Sequence, residues 1–431
     1  MVHQPRQSNR LSEVSKAASS VMTQLARVST VFRSIHRPGA FFRTFRQSAA
    51  SLAFDLGGLV AGLLMVSFFS TIANVRWGLL IYPGILSARG VIGGIFSGRL
   101  SSGLHTGSIS ASMTENTREF GQLWRALIVL TLESSLILSS FALLVGVTIL
   151  GLQIVDIISI LTVVTATMAV SLFLVAPITA VVSFRSFRQG MDPDVIVYPI
   201  MSTVADITVT IVYVGMLSLF YSFSVGPLLT AGPALAVVFL ALHFVRTGFN
   251  EPVFRETVVE SFLTIVMVSM IVNVTGTVLQ SVNDVIGKRP EIYIIYPALL
   301  DTMGDVGSIV GSTATTKIAL GSLKPSPWSI RDHLRELFAT MLAALLMCLV
   351  YSVIASFLEV LGLTGLLSLI TVLLTTALFA SAAMGVISFT VAILTYRRGW
   401  DPDNFVIPIE SSLADTVTSV FLFIALVLLM Y

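Results

Sequence analysis

The chain has 431 residues, of which 55% are hydrophobic and 11% charged, and its mean hydropathy is +0.92. Ordinary soluble domains carry about 25% charged residues, so a surface that mostly faces water is excluded. The single cysteine, Cys348, excludes a disulfide framework and a thiolate metal site.

Apolar runs long enough to cross a hydrocarbon core of ~30 Å recur from about residue 52 to the last residue. They predict an all-α fold, a polytopic transmembrane bundle of about 11 helices. The predicted spans are 52–74, 78–100, 123–149, 154–183, 195–222, 226–246, 257–281, 292–316, 334–358, 363–394 and 404–430. The preceding segment, 1–50, is basic, with Glu13 its only acid. Both an amphipathic helix on the lipid surface and a partly disordered tail that only fixes topology fit this segment.

Lysine and arginine residues collect on one side of the predicted membrane. With a cytoplasmic N-terminus, 21 of the 25 lie in inner segments and three lie in outer loops. The sequence therefore predicts an integral, multi-pass protein with its N-terminus in the cytoplasm and its C-terminus outside.

The chain contains an internal repeat. Residues 82–93 align with 296–307 at an offset of 214, and 192–206 align with 401–415 at an offset of 209. The second alignment keeps Asp-Pro-Asp, Pro-Ile and the final Ala-Asp in register, which shared composition alone does not explain. We predict a first repeat at 51–223, a linker helix at 224–250 and a second repeat at 251–431.

Each repeat contains five predicted spans. Because five is odd, two copies joined directly would lie inverted in the membrane relative to each other. The linker span restores the same orientation for both copies. Two parallel repeats can pack around an axis along the membrane normal, and a permeation path can follow that axis. The chain would then act as a monomer built like a dimer.

Asp206 and Asp415 occupy equivalent positions about eleven residues into the last helix of each repeat. At 1.5 Å per residue, this depth is ~16 Å, close to the middle of the membrane. Inserting a carboxylate into a membrane costs about 2.5–3.5 kcal/mol on insertion scales, so its presence there indicates a function or a partner group. Duplicated acids amid hydroxyl groups suit a hard divalent cation such as Mg²⁺. A helix cap or a pair with a basic group is the structural alternative.

Other residues extend the candidate metal set beyond this pair. Pro199 and Pro408 precede the two acids and each frees a backbone carbonyl. Glycines of the two second helices allow close packing or local unwinding. The complete candidate set is Asp206, Asp415, Asp301, Asp305, Glu410, Ser202 and Ser411.

Further charged residues lie within predicted spans, and two of them, Asp156 and Glu260, lie near span ends, where solvation at the membrane surface is expected. Arg89 is the only basic residue deep inside one, and we hypothesise that it pairs with Asp301 or Asp305 across the two-fold axis. Asp55 lies near the start of its predicted span, so solvation at the membrane surface is its expected role. Glu133 lies deeper and is a weaker ligand candidate.

These segments resemble the MgtE-type magnesium transporter family, and most closely its two-repeat branch, solute carrier family 41. Residues 290–300 resemble the start of that family's second helix, and Arg89-Gly90 followed by 97–102 resembles its continuation. The Asp-Pro-Asp segments resemble its last helix, whose aspartate lines the pore and binds Mg²⁺. The resemblance implies this role for Asp206 and Asp415.

Two departures limit the resemblance. The family's usual Gly-Asn pair is Gly90-Val91 in one copy and Gly304-Asp305 in the other. No segment resembles the soluble regulatory domains of bacterial members, so gating by such domains is not implied.

The expected function is transport of a divalent cation, Mg²⁺, between the two repeats. A transporter of another substrate that uses these acids as proton or Na⁺ sites is the alternative. An enzyme is not expected, because no paired nucleophile and base, zinc motif or phosphate-binding loop is found. The expected partners are divalent ions and the lipid bilayer, with no nucleic acid and no cofactor besides the transported ion.

Overall fold

The computed structural model describes residues 40–189, 193–286, 289–398 and 402–430. Within these ranges the chain is helical and contains no strand. The helices are α1 (Ala40–Leu52), α2 (Gly58–Ser67), α3 (Phe69–Ala73), α4 (Gly78–Thr106), α5 (Arg118–Val145), α6 (Asp156–Arg188), α7 (Pro193–Ser222), α8 (Gly226–Gly248), α9 (Pro252–Ile286), α10 (Pro290–Ala319), α11 (Leu334–Leu358), α12 (Leu363–Arg398) and α13 (Pro402–Met430).

Ten helical stretches in these ranges are long and apolar enough to cross a membrane. They correspond to ten of the eleven predicted spans. The remaining predicted span, 292–316, forms α10, a helix of 30 residues that is not among the ten. It carries Asp301 and Asp305, which make it more polar than its neighbours. The prediction of an all-α polytopic bundle is confirmed.

The first span begins earlier than the sequence predicted. It runs from Phe41 to Ser67, so the end of the segment assigned to 1–50 belongs to it. The exposed Arg43 and Arg46 lie on one face of α1, and they mask the apolar character of its other face in a plain hydropathy average. The other face packs against α11. Residues 1–39 lie outside the described part of the chain.

The first span is also broken. A 3₁₀ turn, Ala53–Gly57, separates α1 from α2. Asp55 lies in this turn and is only 5% exposed. Since the span starts at Phe41, Asp55 lies well inside it rather than at its end.

Each repeat places its first helix against the other repeat. Helix α9 packs on α4 and α5, while α1 and α2 pack on α11 and α10. The crossings are equivalent: a Cβ on Gly62 would lie 2.0 Å from the Ile294 carbonyl oxygen, and one on Gly276 would lie 1.7 Å from that of Leu80. Both partners are related by the offset of 214. Glycine is required at each crossing because backbone meets backbone there.

The second helices lie at the centre of the bundle and the linker helix lies at its edge. In the apolar part of α4, 78% of residues are buried, against 22% in α8. Helix α8 contacts α5, α6 and α7 of the first repeat. Helices α7 and α13 pack beside α4 and α10, so the last and second helices of both repeats converge.

Candidate cation-binding site

A small cavity lies where α4, α7, α10 and α13 converge. Its volume is about 50 Å³. Carboxylates, hydroxyl groups and small side chains line it. The lining residues are Leu86, Ser87, Gly90, Ser202, Asp206, Pro297, Leu300, Asp301, Gly304, Asp305, Ser308, Ser411 and Asp415.

The structure brings together six of the seven residues that the sequence singled out. Helix α7 supplies Ser202 and Asp206, and α13 supplies the equivalent Ser411 and Asp415. Helix α10 supplies the other two acids of the set, Asp301 and Asp305.

Equivalent hydrogen-bond chains position the two duplicated aspartates. In the first repeat, the Tyr82 hydroxyl lies 2.9 Å from Thr210 Oγ1, which donates to the Asp206 carbonyl at 2.7 Å. In the second, the Tyr296 hydroxyl lies 2.8 Å from the Ser419 hydroxyl, which donates to the Asp415 carbonyl at 2.7 Å. Both tyrosines are buried, so their rings fix the last helix against the second helix at the level of the acids.

Contacts between the repeats also follow the pseudo-two-fold relation. Ser87 of α4 donates a hydrogen bond to Asp415 Oδ2. The position equivalent to Ser87 is Asp301, and its carboxyl group interacts directly with that of Asp206. One contact therefore joins a hydroxyl to an acid, whereas the other joins two acids. The two halves of the cavity differ in charge although they share one backbone plan.

Asp55 belongs beside this site, which the sequence did not predict. Its Oδ2 accepts a hydrogen bond of 2.9 Å from Thr302 Oγ1, and the Thr302 hydroxyl lies 2.7 Å from the Tyr351 hydroxyl. Asp55 also lies close to Asp305 and Asp206. The sequence did show Asp55 as an acid in an otherwise apolar run. However, the first span was predicted to start at residue 52, and this start placed Asp55 at the membrane surface.

The hypothesis that Arg89 pairs with Asp301 or Asp305 is wrong. Arg89 is 3% exposed, forms no ion pair within the described ranges, and its Nε has no hydrogen-bond partner. Successive helical residues are about 100° apart, so Arg89 points about 200° away from Ser87, which faces the cavity.

Glu410 is the candidate ligand that does not line the cavity. It is fully buried near Ser388 and Gly311, and its carboxylate oxygens have no hydrogen-bond partner in the described part of the chain. It precedes Asp415 by five residues, which places it about 140° around the helix from that aspartate.

The glycines of the second helices differ in role. A Cβ on Gly90 would meet nothing within 4 Å, and both Gly90 and Gly304 line the cavity. A Cβ on Gly307 would lie 2.9 Å from Ser388 Oγ. Tight packing therefore explains Gly307, whereas Gly90 leaves open space at the site.

Several predicted features lie outside the described residues. The structure says nothing of Asp192 and Asp401, nor of the side chains of Pro199 and Pro408. Asp194 and Asp403 are the second residues of α7 and α13, but their side chains are likewise not described.

The acids approach one another as pairs rather than as a closed coordination shell. Across the described ranges, no three His, Cys, Asp or Glu side chains are arranged to hold a metal ion directly. An ion that keeps several of its waters does not need such a shell, because carboxylates can bind it through those waters.

The comparison with protein families identifies the chain. The family model described as MgtE, divalent cation transporter, matches residues 82–216 and 296–425, which together make up more than half of the chain. The chain belongs to the MgtE family. The resemblance predicted from the sequence is confirmed, and the family is one of transporters rather than of enzymes. Each match begins at the tyrosine that opens the duplicated second-helix segment, Tyr82 or Tyr296, so Asp55 lies outside both.

Two further comparisons add little. No curated protein matches the chain. Among solved structures, that of the eukaryotic MATE transporter AtDTX14 is 13% identical, over 89% of this chain and 96% of that one. Its TM-score of 0.26 is too low to carry an argument.

Proposed function

We propose that this MgtE-family protein carries Mg²⁺ across the membrane through a path between its two repeats. The ion binds at the cavity formed by Asp206, Asp301, Asp305 and Asp415. One observation supports this most: both repeats contribute half-buried carboxylates to one cavity, and no lysine, arginine or histidine lines it.

The charge of the cavity favours a cation. Intramembrane carboxylates are expensive and normally pair with bases or mark ion paths. The one basic residue deep in a span, Arg89, points elsewhere and forms no ion pair within the described residues. Positive charge must therefore come from a bound cation or from protons.

The chemistry of the cavity favours Mg²⁺. Its polar side chains offer only oxygen ligands, whereas zinc and copper prefer nitrogen or sulfur. A buried water needs about 10–15 Å³ of cavity volume, so a cavity of about 50 Å³ holds roughly three to five waters, fewer than the six around a fully hydrated Mg²⁺. A hydrated ion must widen the path or exchange part of its shell for carboxylate oxygens, and Mg²⁺ commonly takes one or two of these.

The proposed orientation follows the distribution of basic residues. The N-terminus lies in the cytoplasm and the C-terminus outside, because the inner segments together with the inner ends of the spans carry 21 of the 25 lysines and arginines. The first and last helices of each repeat then run outward, and the second helices run inward.

Flux into liposomes tests the site. Purified protein is reconstituted with a Mg²⁺-sensitive dye inside, and Asp206→Asn, Asp415→Asn and the double variant are compared with wild type. We expect each single change to lower the initial Mg²⁺ flux at least about tenfold, equivalent to ~1.4 kcal/mol, and the double change to abolish it. Glu115→Gln, which neutralises an exposed acid outside the cavity, serves as the matched control. Flux at the wild-type rate in the double variant would overturn the site.

A coupled mechanism is the second candidate, and the acid-to-acid contact favours it. One Mg²⁺ balances two carboxylates, whereas Asp55, Asp206, Asp301, Asp305 and Asp415 cluster here. The remaining charge could be balanced by protons or Na⁺ that move with or against Mg²⁺. Mg²⁺ entry with no gradient of H⁺ or Na⁺ indicates a channel-like path, whereas entry only with such a gradient indicates coupling.

A further inference from the structure

A second cavity opens at one end of the first repeat, nine to eleven residues along α4 and α7 from the acidic one. Its volume is about 420 Å³, within the range of about 300–1,000 Å³ typical of small-molecule sites. It lies between the segment that joins α3 to α4, the start of α6 and the end of α7. The lining residues are Thr71, Asn74, Val75, Arg76, Trp77, Asp156, Leu217, Ser218, Tyr221 and Ser222.

Opposite charges line this cavity without neutralising each other. Arg76 is exposed and forms no ion pair within the described ranges. Asp156 accepts one hydrogen bond of 2.9 Å, from the Gln153 backbone N–H to Oδ2, which leaves its other oxygen available. The corresponding corner of the second repeat differs, because Arg289 there donates to Glu291 at 2.6 Å. The first repeat thus keeps a separate cation and anion facing one space.

The surroundings place this cavity at the boundary between lipid and water. It is formed by the ends of spans, and Tyr221 packs beside Trp77 with ring centroids 6.4 Å apart. Tryptophan and tyrosine are enriched at this level of a membrane. Next to its residues in the chain are large exposed apolar side chains, including Ile154 at 77% and Phe223 at 60%.

We propose that this cavity binds the headgroup of a zwitterionic phospholipid. Arg76 pairs with the phosphate, and Asp156 pairs with the ammonium group. The ring of Tyr221, which is 51% exposed, offers a face to the same ammonium group. The acyl chains extend over the apolar residues beside the cavity. The lining differs from that of the acidic cavity, since the arginine disfavours a metal cation here.

Native mass spectrometry of the purified protein tests the proposal. The protein is incubated with an equimolar mixture of phosphatidylcholine and phosphatidylglycerol that have the same acyl chains. We expect wild type to retain phosphatidylcholine preferentially, since phosphatidylglycerol lacks the ammonium group. Arg76→Gln should lower retention of phosphatidylcholine about tenfold, equivalent to ~1.4 kcal/mol. Asp156→Asn should instead shift the preference toward phosphatidylglycerol, because the arginine remains.

Two controls separate this site from other sources of binding. Arg246→Gln removes an exposed arginine from the far end of α8 and should retain the wild-type lipid preference. Inorganic phosphate at millimolar concentration should not displace the lipid; displacement would indicate a free-anion site and overturn the proposal. Equal retention of both lipids by wild type, or an unchanged preference in Asp156→Asn, would also overturn it. Because the two variants shift the preference in different ways, general misfolding cannot imitate the expected pattern.

Discussion

Ser87 of the first repeat donates a hydrogen bond to Asp415 of the second, and this contact is the counterpart of the one between Asp301 and Asp206. The duplicated backbone makes the two contacts equivalent, but the side chains make them chemically different. A hydroxyl satisfies a carboxylate on one side, whereas two acids meet on the other. The second contact needs a proton or a cation, so the two halves of the cavity should respond differently to substitution.

The first prediction concerns the contact between the two acids. Asp301→Asn removes one of them, and like charges held close together destabilise the metal-free protein. We expect the melting temperature in EDTA to rise by about 1 °C for each ~1 kcal/mol of repulsion removed, because 431 residues at ~2.1 cal/mol/K each give an unfolding entropy of about 0.9 kcal/mol/K. The extra stabilisation by Mg²⁺ should become smaller. Thermal unfolding in EDTA and in Mg²⁺ measures both effects. Asp332→Asn, at an exposed position, is the control, and an Asp301→Asn curve that overlays wild type in both buffers would contradict the prediction.

The second prediction concerns Ser87, the position equivalent to Asp301, where adding an acid should change the melting temperature in EDTA in the opposite direction. Ser87→Asp creates a second contact between acids, with Asp415 as the partner. The melting temperature in EDTA should fall, and Mg²⁺ should restore more stability than it gives to wild type. The asparagine of Ser87→Asn has nearly the same size as the aspartate of Ser87→Asp, but it is neutral and can still donate to Asp415. Ser87→Asn should therefore show neither effect. If the two variants behave alike, size rather than charge governs this position.

The third prediction assigns Asp55 to the ion path. Asp55→Asn keeps an oxygen that can accept from Thr302 but removes the charge. We expect the Mg²⁺ concentration for half-maximal flux to rise by several fold, less than for the Asp206 variant, because Asp55 does not line the cavity itself. Liposome flux at graded Mg²⁺ concentrations measures this change.

A matched variant separates charge from structure at Asp55. Thr302→Val keeps the charge and removes the donor, which should cost about 1–3 kcal/mol of stability because a buried acceptor loses its partner. An unchanged Mg²⁺ dependence in Asp55→Asn would place this residue outside the path.

The fourth prediction tests the exchange of first helices between repeats. Gly276→Ala and Gly62→Ala each force a side chain against a backbone carbonyl of the opposite repeat. Each change should cost at least about 1–3 kcal/mol and lower the yield of folded protein, because neither backbone can move without separating two helices. Fluorescence-detected size exclusion with a heating series measures the loss.

A glycine in open space provides the control. A Cβ on Gly215 of α7 would meet nothing within 4 Å. Gly215→Ala should be neutral or add up to about 1 kcal/mol, since alanine favours the helix over glycine. Equal stability of Gly276→Ala and Gly215→Ala would show that the helix crossing is not tightly packed.

Much of the fold follows from one-dimensional features of the sequence. The length of the apolar runs determines the number of spans, and the repeated Asp-Pro-Asp segments indicate the duplication. Asp206 and Asp415 could be selected because equal positions in equal helices lie at equal depth. Asp301 and Asp305 stood out because charge inside a span is costly. These inferences require only the position of each residue along its predicted helix, which gives its depth in the membrane.

The tertiary structure decided what faces what. Helix rotation turns Arg89 and Glu410 away from the cavity, although each lies within five residues of a lining residue. Asp55 joins the acids only because the first helix packs on the other repeat, across a separation of nearly 250 residues from Thr302. Hydropathy fixes how deep a residue lies, but the direction of its side chain depends on packing between helices distant in the chain. The sequence by itself thus determined the family, the spans and the paired acids, whereas tertiary packing decided which charges share one cavity.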